Sequence, residues 1–163
     1  MNWSDLIVVI IIGAIVGMEI KRGFGMALFT LVGAFLALKF ALLWSTPLSA
    51  ALHLSAKAGP NQALAMGVLF ILLMGVVSGV TYVLHPDTFL SVDPFDNLLG
   101  AVLGFATGWL VAYAFLTGLR IWGANDVVRT SLFAPEILEF RTYHSVVDAI
   151  RGLGEQQQRK YGE

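Results

Sequence analysis

Residues 97–119 read NLLGAVLGFATGWLVAYAFLTGL, a stretch without a single charge. A helix that crosses a membrane takes ~20 mostly apolar residues. Backbone N–H and C=O groups find no water in hydrocarbon, so such a stretch must be helical. Gly100, Gly104 and Gly108 recur at every fourth position. That spacing sets all three on one stripe of the helix. In lipid, where apolar side chains gain nothing by hiding from one another, small residues drive association because they let backbones approach.

Three more stretches qualify, over about 3–20, 23–44 and 63–84. The first carries Asp5 near its start and Glu19 near its end; the second has Lys39 in its last turns, placed to snorkel. The third has no charge. Gly13 and Gly17 repeat the four-residue spacing in the first, and Gly75 and Gly79 in the third. The alternation that marks barrel strands is missing. The expectation is an all-α polytopic membrane protein. Residues 1–123 form a domain of four transmembrane helices, joined first by Lys21-Arg22, then by two longer loops. Residues 124–163 form a polar tail. Phe140, Tyr143, Val147 and Ile150 share one face there, with Pro135 at a first helical position, which predicts a C-terminal amphipathic helix over about 135–151.

Composition agrees. The 163 residues are 57% hydrophobic and 13% charged, with 17 Gly and no Cys, and mean hydropathy is +0.77. A soluble domain carries roughly twice that share of charge. Net charge is −1, so no basic field draws nucleic acid. Without cysteine there is no disulfide, zinc-thiolate site or thiol nucleophile. Nucleophile elbows, zinc-helix motifs and phosphate loops are missing too. The expectation is no catalytic residue, no metal, no cofactor and no enzyme.

Ionisable residues at span ends remain as candidates. Asp5 is expected at the helix start, with Ser4 or Asp5 as the cap. Glu19, Lys21 and Arg22 read as an interfacial charge cluster. His85, Asp87, Asp93 and Asp96 are acceptable metal ligands, but their spacing matches no known site, and Pro and Asp also make turns. His144 and Asp148 read as a surface pair. Trp3, Trp44 and Trp122 fall at span ends, where indoles prefer to lie. The glycine stripes predict packing within a four-helix bundle, against a second protomer, or both. The partners expected are the lipid bilayer and either a second copy or another membrane protein.

Several motifs, in order, resemble the colicin V production protein family of bacterial inner-membrane proteins. Trp3-Ser4-Asp5 is similar to the family's aromatic-x-Asp opening. Arg22-Gly23-Phe24 is similar to its turn between the first two spans. Asp96, Leu99-Gly100, Gly104-Phe105 and Gly108 resemble its last-span signature, and Ser131 and Pro135 its following Ser-to-Pro motif. The chain departs from the family's usual charges at Gly25-Met26-Ala27, Asn97 and Thr107. The resemblance implies a role in toxin production or export, as a scaffold or accessory, with Asp5, Arg22 and Asp96 as polar anchors. A small-solute channel or transporter subunit is the alternative, with Ser78, Thr81, Thr107 and Thr117 as its few polar groups. An even span count puts both termini on one side of the inner membrane. Lys57 and six tail cations oppose Lys21 and Arg22 in deciding which side. Relatives fused to an extracytoplasmic protease favour the periplasm.

Overall fold

The computed structural model describes residues 2–53, 55–84, 95–142 and 144–145. Helices α1 (Trp3–Ala51), α2 (Ala58–Leu84) and α3 (Asp96–Trp122) carry most of the chain, followed by α4 (Asn125–Arg129) and α5 (Ala134–Glu139). No strand occurs among the described residues. Each of the three long helices is long and apolar enough to cross a membrane.

Helix α1 is not one rod. Gly23 has φ 80° and ψ 177°, a conformation that side-chain-bearing residues rarely adopt. The contacts show what the break does. Along α3, Gly100 lies against Glu19 and Gly23, Gly104 against Glu19 and Val16, and Gly108 against Ile12. Val8 then joins Ala112 and Leu116. The first half of α1 therefore runs antiparallel to α3. The second half runs parallel to it, from Phe24 beside Asp96 to Ala37, Leu38 and Ala41 in one cluster with Ala114. Gly23 is thus the tip of a helical hairpin. Helix α2 runs back against the second half, with Asn61 beside Ser49 and Val77 beside Gly33.

Four helical rods run alternately up and down, and the interior is built largely from alanine: Ala27, Ala34, Ala37, Ala41, Ala65 and Ala112 are almost wholly buried. Large apolar side chains point outward instead. Val83 is 75% exposed, Ile71 71% and Leu43 65%. Water would penalise that surface by ~25 cal/mol per Å²; lipid does not.

Some boundaries differ from the expected ones. Lys21 and Arg22 are helical, and the connection shrinks to Gly23. The second half of α1 continues past Trp44 to Ala51 with Pro47 inside it, α2 begins at Ala58 rather than near 63, and α3 runs over Asp96–Trp122. The tail helix expected over 135–151 is interrupted. Helix α5 ends at Glu139, Phe140 after it is left-handed at φ 49°, and helical residues resume at Arg141. Its later part, and the loop holding His85, Asp87 and Asp93, lie outside the described residues.

Candidate functional site

Two acid-centred junctions, at opposite ends of the bundle, gather most of the motif residues. At the hairpin tip, Asp96 opens α3 and its Oδ1 accepts from Phe24 N–H at 3.0 Å. The first N–H groups of a helix have no partner inside it, and a carboxylate there also meets the positive end of the helix dipole. Asp96 so caps the second half of α1 from a different helix. Gly23 permits this. A Cβ at Gly23 would lie 2.0 Å from Asp96 Oδ2, and one at Gly100 2.6 Å from the Glu19 carbonyl oxygen. Arg22, Gly23, Phe24, Asp96 and Gly100 therefore belong to one assembly. Leu99 is half-buried beside it, its N–H bonded to the Phe95 carbonyl at 2.9 Å.

The second junction fastens the start of α1 to the segment after α3. Asp5 is fully buried. Its Oδ1 accepts from Ser131 Oγ at 2.5 Å, Leu132 N–H at 3.0 Å and Phe133 N–H at 3.5 Å. Its Oδ2 accepts from Asn2 N–H at 2.8 Å. Ser131 Oγ in turn accepts from Ala134 N–H at 3.0 Å, where Pro135 opens α5. Asn2 Nδ2 donates to the Val127 carbonyl at 2.7 Å and to Thr130 Oγ1 at 3.0 Å. The cap of α1 is Asn2, not Ser4 or Asp5; Asp5 is the third helical residue and completes a capping box. Ser4 Oγ bonds the Asn2 amide oxygen. A buried carboxylate is costly unless hydrogen-bonded, and here donors face both of its oxygens. Asp5 is a latch with little capacity left for chemistry.

Glu19 differs. It is 1% exposed, its Oε1 accepts from Arg22 Nη1 at 3.2 Å, and its Oε2 is buried with no hydrogen-bond partner among the described residues. The side chain leans on Gly104. The buried Thr30 hydroxyl stands close by but gives its hydrogen to the Met26 carbonyl. Thr107 Oγ1 and Thr117 Oγ1, on α3, are also buried without hydrogen-bond partners among the described residues, while Thr81 donates to the Val77 carbonyl at 2.8 Å. Ser78 and Lys39 are exposed. Arg22 thus pairs with Glu19. Reading Glu19 as an interfacial charge missed its burial; the signal available was its position three residues before an arginine and four before the hairpin glycine.

The glycine stripes divide. Gly100, Gly104 and Gly108 face the first half of α1 at backbone distance, whereas a Cβ at Gly13, Gly17, Gly75 or Gly79 would meet nothing within 4 Å. Gly33, against Val77, and Gly59, against the Ile121 carbonyl, are close approaches that no second glycine four residues away announced; alanine holds that place in both, at Ala37 and Ala63. Among the described residues no group of three or more metal-ligating side chains occurs.

A family model described as colicin V production protein matches residues 4–142. No curated protein and no solved structure matches the chain.

Proposed function

The chain belongs to the colicin V production protein family, and from that premise we propose that it is a four-crossing inner-membrane protein serving colicin V production or export as a non-enzymatic accessory. The observation that carries this reading is how its polar groups are used. Asp5 and Asp96 serve as caps between separate helices, and the outer surface is apolar. That is the construction of a scaffold held in lipid. Contacts with a second copy or another membrane protein complete the reading, with both termini on one side and the periplasm favoured.

Loss of the chain from a host carrying the toxin genes should lower colicin V activity in the culture medium, and re-expression should restore it. Unchanged toxin yield would refute the role. The absence of cysteine makes the crossings easy to test by labelling. Cysteines at Asn2 and Leu52 should react with an impermeant maleimide from one side and a cysteine at Lys21 from the other. Opposite-side labelling of Asn2 and Leu52 would reduce the crossings to three.

The buried Glu19 carboxylate supports a second reading, a channel or transporter subunit, because an ionisable residue inside a membrane domain marks ion pathways. Flux from proteoliposomes that Glu19→Gln abolishes would favour it; no flux from a verified oligomer would remove it.

A further inference from the structure

Beyond the two junctions lies a cavity of about 620 Å³ lined by three arginines: Arg120 in the last turn of α3, Arg129 at the end of α4 and Arg141 just after α5. Its volume falls in the ~300–1,000 Å³ range of small-molecule sites. Glu139 is the one carboxylate in the lining, and Asn125 adds an amide. Among the described residues no ion pair occupies any of the three guanidiniums. The concentration is local, since the chain as a whole carries net charge −1.

The gathering of these arginines follows from two left-handed residues. Gly123 (φ 94°) turns the chain out of α3 into α4, and Phe140 (φ 49°) turns it out of α5 towards Arg141. For a non-glycine residue that conformation costs on the order of 1–3 kcal/mol and persists where the surroundings impose it. Favourable interaction with helix dipoles accounts for Arg120 and Arg129, which close their helices. It accounts neither for Arg141 nor for the convergence of all three on one cavity, where like charges repel. Apolar Val128, Ala134 and Leu138 complete the wall.

We infer that this cavity binds a phosphate group, carried by an anionic lipid headgroup or by a free phosphate. Guanidinium forks match phosphate oxygens two at a time, which an ammonium does not. The depth suits a headgroup, because Trp3 and Trp122, about half exposed, lie at the same end of the bundle, and indoles settle at the membrane interface.

The test uses the chain in a nonionic detergent, titrated with short-chain phosphatidylglycerol, with phosphatidylcholine of the same chain length, and with inorganic phosphate. Tryptophan emission and melting temperature are the readouts. Phosphatidylglycerol should bind saturably and phosphatidylcholine should not. Arg129→Gln and Arg141→Gln should each weaken the apparent Kd on the order of tenfold, and Arg129→Lys should restore only part of it. Lys57→Gln, a surface cation at the same end, should change it by less than about twofold. Arginine-dependent binding of inorganic phosphate assigns a free anion; phosphate without effect assigns the headgroup. Equal weakening by Lys57→Gln, full binding by Arg129→Lys, or equal binding of both lipids would overturn the site. Circular dichroism identical to the parent's certifies that the variants are folded.

Discussion

Helices α2 and α3 carry the same glycine spacing and use it oppositely. In α3 a Cβ at Gly108 would lie 2.9 Å from Ile12 Cα, and one at Gly104 3.1 Å from Val16 Cα. The two backbones touch, and no side chain fits between them. In α2 a Cβ at Gly75 or Gly79 would meet open space. Spacing of four says that a smooth stripe exists. It does not say what lies on it, because that depends on which helix the rest of the chain brings alongside.

Substitutions sharpen this contrast. Gly104→Leu should be the most damaging, by roughly 3 kcal/mol or more, because a branched side chain must force α3 off the backbone of α1. Unfolding in mixed detergent, followed by circular dichroism, measures it; stability equal to the parent's would deny the contact. Gly23→Ala should cost about 2–3 kcal/mol. It combines left-handed strain with displacement of Asp96 from Phe24 N–H, so the second half of α1 loses its cap. Gly33→Ala should cost about 2 kcal/mol, since the added Cβ would meet both Cγ atoms and the Cβ of Val77, and a β-branched side chain has no rotamer that withdraws all three. Gly75→Ala with Gly79→Ala should leave the isolated chain at least as stable as the parent, since an added Cβ meets nothing there and alanine favours the helix over glycine. If that pair instead shifts an oligomer's dissociation, measured by sedimentation, the open stripe of α2 is where another protein sits.

The same contrast marks what could be read from sequence. The long uncharged runs predicted helices of membrane length, since hydrocarbon leaves the backbone no other choice. Helix ends were less visible. Lys21 and Arg22 suggest a polar loop, yet one glycine with positive φ suffices for the reversal. Asn2 and Asp5 stand at capping-box spacing, so that cap was readable. The partners of Asp5 were not, for they lie more than a hundred residues away. Glu19 was hidden for a similar reason: its burial is caused by Gly104, on a helix that meets it only in the fold. Phe140 gave no warning, being neither Gly nor Asn in a left-handed position.

The cap that Asp96 lends to Phe24 spans 72 residues, and the latch from Asp5 to Ser131 spans 126. Synthesis delivers residues in order, so the hairpin emerges long before either partner exists. Its tip then holds unpaired N–H groups, and its first turn holds a carboxylate without the Ser131 turn that receives it. Arrival of α3 caps the tip, and arrival of the following turn closes the latch, so a segment made more than a hundred residues later completes the placement of the first. A released chain that ends just after Gly123 should therefore hold a bundle capped at one end and open at the other.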